Sequence, residues 1–373
     1  MSEILEKSYK AYLLHVESKQ VSLHIYEAMI DEEVFNLYKI KKEDLEQILK
    51  EQGTPAGYFP IVEGFELVPE EMLSEAKEYV AVLSKIKLSP EELDSLGKKL
   101  TELYEDGKSI EEISVELEIN PVSVVAMREE LDLINQKDLK HEVENLLTHF
   151  ILEKLKEDGD GIIPLSRDMP EKTMTKRVIE DLEEMFGDDA VAEVLAEMKK
   201  ILGKDLEGWL SKDFFKKHIS QYKKRPIVWH LKSEKGYFEV FLYYHKLNSQ
   251  TLQLLKNVYL SNLLDYNIRK VKELKEQQKG GSGGDSSTYK KIEEREKAID
   301  DLKEFGEKLK GVMDLGISPV IDDGVLANIA PYQKAGLLAA DVLDKNQLSK
   351  GLELLNGYIE ERKAECKVAK KVK

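Results

Sequence analysis

Apolar residues recur at three- and four-residue steps along most of the chain, the spacing that places them on one face of an α-helix. The pattern predicts helices over 2–40, 43–50, 69–87, 140–156, 175–187, 189–202, 251–278 and 288–313. The last two carry apolar seams and flank the Gly/Ser-rich stretch 280–287, which predicts an antiparallel helical hairpin joined by a flexible linker. The predicted fold class is therefore mainly α and multi-helical.

One stretch, Tyr222–Asn248, departs from this helical pattern. Pro226 restricts the residue before it to extended backbone, and β-prone residues follow it. After a turn at 233–236, apolar and other residues alternate over 237–244. We expect a small β-hairpin around 226–246, the only sheet in the chain, with an aromatic cluster from 206–215 packed under it.

Residues 109–131 have the pattern of a helix-turn-helix unit. Ser109 is expected to cap a short helix, and Asn120 a second helix after a tight turn. Such a second helix can enter the major groove of DNA. Arg128 is its only cation and two glutamates follow it, so a helical packing or docking unit is the competing interpretation.

These boundaries predict four segments. Residues 1–68 form a helical segment that ends in a Gly/Pro-rich loop, 53–60, interpreted as a linker that reverses the chain. Residues 69–160 form a helical domain with the helix-turn-helix-like unit. Residues 161–249 form a mixed α/β unit with the hairpin. Residues 250–373 contain the helical hairpin, a turn and capping segment at 322–333, a C-terminal helix and a basic tail.

Charge and composition narrow the possible partners. The formal net charge of −16 argues against a simple nucleic-acid binder, yet eight Lys or Arg lie between residues 211 and 235 against only Asp213 and Glu234. The single cysteine allows no internal disulfide, which fits a reducing cytoplasm. No apolar run approaches the roughly 18 residues of a membrane span. We therefore expect a cytoplasmic protein with no membrane partner.

Several motifs carry a family resemblance. They are KRPIVW at 224–229, YYHK at 243–246, DGIIPL at 160–165, KDLEGW at 204–209 with DFF at 213–215, DDGVLANIAPYQ at 322–333 and DEEVFNLY at 31–38. Together they resemble PglX-type adenine-specific DNA methyltransferases of BREX phage-defence systems, which are related to type IIG restriction–modification enzymes. Val228 and Lys246 depart from the family pattern, which usually has an aromatic residue and Arg there. The resemblance covers most of 31–343 and implies the region downstream of the methyltransferase domain.

The sequence lacks the motifs that methyl transfer to an amine requires. A Gly-rich cofactor turn and an [NDS]PP[YF] motif are both absent, and so are a P-loop, HExxH and a nucleophile elbow. His230 and His245 are expected to be neighbours on opposing strands, packed or hydrogen-bonded rather than metal-binding. Asp158 and Asp160 are expected to form a turn rather than a calcium site. The chain alone is predicted to be non-catalytic and without a cofactor.

Two functional hypotheses follow. In the first, the chain engages double-stranded DNA as an accessory region of a methyltransferase that is supplied in trans. Phosphates would then contact Lys223, Lys224, Arg225, Lys232, Lys246 and Arg128, and Trp229, Tyr243 and Tyr244 would support that surface or stack on bases. In the second, the chain is a protein-interaction scaffold that docks a methyltransferase or another defence subunit, with Arg225 in a buried ion pair. A DNA mimic is a third interpretation, suggested by acidity alone.

Overall fold

The computed structural model describes residues 4–280, 286–315 and 320–371 and is mainly α, as predicted. Its helices are α1 Ile4–Leu37, α2 Lys42–Gln52, α3 Ser74–Val82, α4 Pro90–Glu105, α5 Ile110–Leu117, α6 Pro121–Glu130, α7 Gln136–Glu157, α8 Met174–Phe186, α9 Val191–Leu202, α10 Leu206–Trp209, α11 Phe215–Gln221, α12 Thr251–Leu254, α13 Ser261–Gly280, α14 Ser286–Asp314, α15 Gly324–Lys334 and α16 Lys345–Lys371. Its strands are β1 Ile61–Val62, β2 Lys85–Ile86, β3 Ile162–Pro164, β4 Val228–Lys232 and β5 Glu239–Tyr243.

The chain divides into two compact units, Met1–Val143 and Glu144–Lys373. An apolar core in unit 1 receives residues from both predicted segments, 1–68 and 69–160. The buried core side chains include Val21, Ile25, Ile61, Val80, Leu100 and Val125. The sequence places apolar faces in both segments, and burying them together is more favourable than leaving each half-covered.

Two predictions in unit 1 need correction. The loop at 53–60 is more than a linker, because Ala56 and Gly57 are buried and a Cβ on Gly57 would lie 2.4 Å from the carbonyl oxygen of His24. The helix predicted over 69–87 is confined to α3. The residues after α3 instead pair in parallel with β1, where the Ile61 N–H donates to the Ser84 carbonyl over 2.9 Å.

The predicted β-hairpin is confirmed in unit 2, where β4 and β5 pair antiparallel with Trp229 opposite Leu242. The expectation that it is the only sheet is wrong. Strand β3, from the DGIIPL segment, adds to the other edge of β5 and gives the order β3-β5-β4, while β1 and β2 form a second sheet. Strands of two or three residues are too short to show an alternating pattern.

The two faces of the hairpin pack on different partners. On one face, Trp229 lies against the ring of Tyr332, with the ring centroids 5.2 Å apart. On the other face, Phe241 lies 5.0 Å from Phe214, so the predicted aromatic cluster does pack on the hairpin. It lies on the face opposite Trp229, since neighbouring residues of a strand point to opposite sides.

The helical hairpin is confirmed, while the segment after it differs from the prediction. Helices α13 and α14 pack together, and the Arg295 guanidinium donates to the Asn267 side chain over 2.9 Å. The centre of the predicted linker, 281–285, lies outside the described residues. The predicted turn at 322–333 is largely helix α15, with Asn328 and Tyr332 buried, because its apolar residues pack against α16. The C-terminal basic residues continue α16 as far as Lys371.

Candidate nucleic-acid interface

The basic segment of unit 2 begins in a helix that contains a π-helical turn. The backbone runs from α10 through a π turn, Leu210–Phe214, into α11. The extra residue of a π turn shifts the helix face, and here Leu210, Phe214 and Phe215 are all buried. Lys212 and Lys216, four residues apart, remain exposed. The turn therefore separates a buried aromatic side from a basic outer side.

Helix α11 ends in two consecutive left-handed residues, Lys223 with φ 48° and Lys224 with φ 64°. This region is costly for residues with a Cβ, and it is occupied here to close the helix. The Lys224 N–H donates to the Ile219 carbonyl over 2.8 Å. Positive side chains also complement the partial negative charge of a helix C-terminus, so lysine has a structural reason to be here besides any DNA contact.

His218 connects α11 to the KRPIVW segment. Its Nε2 accepts the backbone N–H of Ile227 at 3.2 Å and of Val228 at 3.0 Å. The ring proton therefore lies on Nδ1, since a nitrogen that accepts carries no hydrogen. Burial lowers the pKa of His218 to about 4, so the imidazole is neutral at pH 7. The neutral ring sets the direction in which the chain leaves the basic turn and enters β4.

Three of the predicted DNA contacts are exposed at this turn: Lys223, Lys224 and Arg225. Lys224 lies 3.3 Å from Asp344, a surface pair that contributes little. Arg225 has no carboxylate partner among the described residues. The buried ion pair expected for Arg225 in the scaffold hypothesis is therefore wrong, because the side chain lies at the surface.

Lys232 and Lys246 turn inward and make folding contacts. The Lys232 ammonium lies 2.7 Å from Glu239, and the Lys246 ammonium donates to the Lys156 carbonyl at the end of α7 over 2.6 Å. Both are only partly exposed. The ammonium groups of both residues are already engaged in contacts within the fold.

Glu239 is the centre of a polar cluster beside Lys232. Its carboxylate accepts the Ser211 hydroxyl at 2.8 Å and lies 3.1 Å from His230 Nε2. Burial opposes ionisation of Glu239, but hydrogen bonds from His230 and Lys232 outweigh it and lower its pKa. Burial lowers the pKa of His230, so this contact is a hydrogen bond from a neutral ring. The cluster joins β4, β5 and the π turn.

The predicted aromatic contacts are interior residues. Trp229, Tyr243 and Tyr244 are all buried. The Trp229 indole donates to the Pro226 carbonyl over 3.0 Å, and the Tyr244 hydroxyl donates to the Ile321 carbonyl over 2.8 Å. A ring without an open face cannot stack on a base, so these residues support the basic surface from below.

The helix-turn-helix-like unit has the predicted helices and caps, but its second helix is interior. Ser109 forms a capping box with Glu112, and Asn120 accepts the Val122 N–H. Arg128 is 2% exposed and pairs with Glu17. This arginine compensates a buried carboxylate and presents no cation to a phosphate.

The histidine and aspartate predictions have separate outcomes. His230 lies opposite Phe241, whereas His245 lies in a short 3₁₀ turn after β5, so the two rings are not cross-strand neighbours as expected. Asp158 does form a turn, accepting the Gly161 N–H over 3.0 Å. No group of three or more metal-ligating side chains occurs within the described ranges.

Sequence reasoning missed two members of the exposed basic surface. Lys212 and Lys216 entered only the charge count, although their four-residue spacing on a helix was a signal that they share a side. Neither pairs with a carboxylate in the part of the chain that the structure describes. Within residues 212–225, we call the exposed cations that pair with no carboxylate among the described residues the basic row: Lys212, Lys216, Lys223 and Arg225.

No protein-family model matches the chain. It is 32% identical over 203 residues to the adenine-specific methyltransferase BrxX of Escherichia coli O9:H4 (strain HS), which covers 50% of this chain and 16% of that protein. It is 33% identical over 174 residues to the adenine-specific methyltransferase PglX of Lacticaseibacillus casei (strain Zhang), which covers 44% of this chain and 14% of that protein.

These matches confirm the resemblance predicted from the motifs. About half of the chain is similar to a region of PglX-type adenine-specific methyltransferases. The chain matches only about a sixth or less of the length of these relatives, at 16% and 14%. Within the described residues, no helix is long and apolar enough to cross a membrane.

Proposed function

We propose that the chain is a non-catalytic, DNA-engaging region of a PglX-like adenine-specific DNA methyltransferase in phage defence or restriction–modification. The basic row carries this proposal: in a chain of net charge −16, four exposed cations that pair with no carboxylate in the described part of the structure lie within fourteen residues. Exposed Lys and Arg that nothing neutralises can exchange their counterions for phosphates. The relatives, named as adenine-specific methyltransferases, supply the class of substrate.

The length of the basic row suits a phosphate backbone. Eleven residues separate Lys212 from Lys223, about 16 Å at the helical rise of 1.5 Å per residue. That distance exceeds the roughly 12 Å width of the major groove, so the row can reach phosphates of both strands or follow one strand. Contacts of this kind position a protein on DNA and do not read its sequence.

The methylation itself would belong to a partner. The chain contains no Pro-Pro dipeptide and hence no [NDS]PP[YF] motif to hold a target amine. A methyltransferase domain or subunit in trans would bring the cofactor and the target-base pocket. The role proposed for this chain is to hold DNA while that partner acts, which would place it in the cytoplasm.

The test is duplex-DNA binding by the chain across a salt series. Four phosphate contacts predict a slope of about −3.6 in log affinity against log salt, or about a 100-fold loss between 50 and 200 mM. The double variant Lys216→Glu/Arg225→Glu removes two contacts and adds two repulsive charges. We expect its affinity to fall at least tenfold at low salt and its slope to become about −1.8.

A matched control separates a local contact from a change in total charge. Lys98→Glu/Lys108→Glu alters two exposed lysines of unit 1 and changes the net charge by the same four units, from −16 to −20. If the control and the test variant lose equal affinity, the basic row is not the DNA surface. If the unaltered chain shows no binding at low salt, DNA engagement by this chain is refuted.

A protein-interaction scaffold is the second candidate, favoured by a different observation. Helix α2 has no buried residue, and Leu37 and Tyr38 before it are 75% and 74% exposed. Apolar side chains left in water are typical of docking surfaces. A scaffold would show no DNA affinity at moderate salt, and it would keep its methyltransferase or defence partner in the Lys216→Glu/Arg225→Glu variant.

A further inference from the structure

Helix α1 has apolar residues on two different sides. Its inner side contributes Val21 and Ile25 to the core of unit 1, where both are fully buried. A second apolar stripe lies outside that core. Its four members, seven residues apart, are Val16, Leu23, Ile30 and Leu37. Val16 is partly exposed, and the other three are exposed by 53%, 61% and 75%. We call these four residues the α1 stripe.

A seven-residue apolar repeat is the seam of a left-handed coiled coil. The α1 stripe runs for 21 residues, about 32 Å at 1.5 Å per residue, which is long for a single helix face left in water. Tyr12 and Val34 extend it with exposures of 54% and 41%. A stripe with this period and length is suited to another helix lying along it.

We propose that α1 pairs antiparallel with α1 of a second copy of this chain. With the two-fold axis between Tyr26 and Glu27, Leu23 lies at the height of Ile30 of the second copy. The same register places Val16 at the height of Leu37 of the second copy. A two-fold contact uses the same surface on both subunits, so a stripe that matches itself in one register is what this symmetry requires.

The charges beside the stripe favour the same register. Lys19 and Glu33 are exposed and have no ion-pair partner among the described residues. In the antiparallel pair, Lys19 lies one residue away in height from Glu33 of the second copy, and the symmetry makes this pair twice. A parallel pair would instead put Lys19 beside Lys19 and Glu33 beside Glu33, which is repulsive.

The first experiment measures the mass of the full chain by light scattering over a concentration series, without DNA. We expect a dimer that Ile30→Lys converts to a monomer. The matched control is Val82→Lys, which places the same charge at an apolar residue of unit 1 that is 81% exposed and outside the stripe. A wild-type chain that is monomeric at every concentration, or a dimer that Ile30→Lys leaves intact, overturns the proposal.

The second experiment tests the direction of pairing in a Cys366→Ser background, which removes the only native cysteine. Leu23→Cys/Ile30→Cys should form an intermolecular disulfide on oxidation. Leu23→Cys alone should not, because the antiparallel register separates the two copies of that position by seven residues, about 10 Å along the helix. Efficient cross-linking of the single variant would indicate a parallel pair and overturn the register.

The charge pair gives a third measurement on a folded protein. Lys19→Glu and Glu33→Lys should each weaken the dimer roughly tenfold, because each change makes two pairs repulsive. The double variant Lys19→Glu/Glu33→Lys restores opposite charges and should recover most of the wild-type dissociation constant. Additive weakening in the double variant would show that these residues do not face each other.

Discussion

Two regions contain a cation that the sequence pattern predicts as a DNA contact, and the two cations differ in side-chain exposure. In unit 1, Arg128 lies in the last turn of α6, the second helix of the helix-turn-helix-like unit, yet its side chain is buried and pairs with Glu17. In unit 2, Arg225 follows the capped end of α11 and lies at the surface without a carboxylate partner among the described residues. Both arginines lie near the C-terminal end of a helix, and their surroundings differ.

A motif can identify a cation as a candidate DNA contact, but only its burial shows whether the side chain is accessible to a phosphate. A buried arginine must be compensated, because an unpaired charge in the interior is costly. Arg128 is therefore part of the stability of unit 1. An exposed arginine is solvated and contributes little to folding, so Arg225 is free to exchange water and counterions for a phosphate. Substitutions can separate these two roles.

The largest expected change in the free energy of unfolding comes from removing the buried cation, Arg128. Arg128→Met leaves the Glu17 carboxylate buried without its partner, which should lower the free energy of unfolding of unit 1 by about 3–5 kcal/mol. Both tryptophans lie in unit 2, so the measurement is hydrogen exchange at the α6 amides. The double variant Arg128→Met/Glu17→Met should recover much of the loss. A change below about 1 kcal/mol in the single variant would contradict the account.

The second-largest expected effect is that acid destabilises the connection between α11 and β4. Burial lowers the pKa of His218 to about 4 in the folded chain, below the usual histidine value of 6.5, so the unfolded state binds the proton first as the pH falls. Stability from this group is complete above about pH 6.5 and is lost toward pH 4, by roughly 3 kcal/mol.

Tryptophan fluorescence should report this pH effect, because Trp209 and Trp229 lie in the same unit. A His218→Asn variant has no titrating ring at this position and serves as the control. We expect its urea midpoint to be lower at pH 7 and to fall less between pH 6.5 and pH 4 than that of the wild type. An equal pH dependence in both proteins would assign the effect to other groups.

A smaller effect is expected where a predicted DNA contact proved to be a folding contact. Lys246→Met removes the ammonium that donates to the Lys156 carbonyl at the C-terminus of α7. A charged hydrogen bond to a helix end contributes about 1–2 kcal/mol, so the urea midpoint of unit 2 should fall while DNA affinity changes little. A large loss of DNA affinity without a stability change would return Lys246 to the DNA surface.

The smallest expected change in stability comes from removing the exposed cation, Arg225. Arg225→Ala should change the free energy of unfolding by less than about 0.5 kcal/mol, since the side chain is solvated. Its DNA affinity should nonetheless fall about threefold to tenfold at low salt. Urea denaturation and duplex binding of the same sample test both statements, and a destabilisation comparable to Arg128→Met would remove the distinction.

Local features were the most predictable from sequence. The N-cap at Ser109 was visible because a helix start depends on residues close in sequence, and the structure completes it as a capping box with Glu112. The hairpin was visible because β4 and β5 are neighbours in sequence. Strand β3 was not, because it joins the sheet through pairing with β5, as at Ile163 opposite Phe241. Helix α15 was missed because its Asp-Asp-Gly start has the composition of a turn.

The candidate site was only partly predictable. The sequence alone identified the basic segment between residues 211 and 235, since eight cations against two carboxylates is a local property. It could not show which of those cations are exposed and which are paired with a carboxylate. Lys217 is neutralised by Glu144, a residue 73 positions earlier in the chain, whereas Lys216 beside it points outward. The distinction depends on which carboxylates, distant in sequence, lie close to each lysine in the folded chain.

By itself, the sequence determined the helical class, the hairpin, the main caps and the resemblance to PglX-type methyltransferases, all of which depend on residues near each other or on recognisable motifs. The tertiary structure alone decided which charges are available. Arg128 meets a carboxylate 111 residues away, and Lys246 meets a carbonyl 90 residues away. Side-chain exposure results from such long-range contacts, because the free energy of burying a charge depends on every group that the fold packs around it.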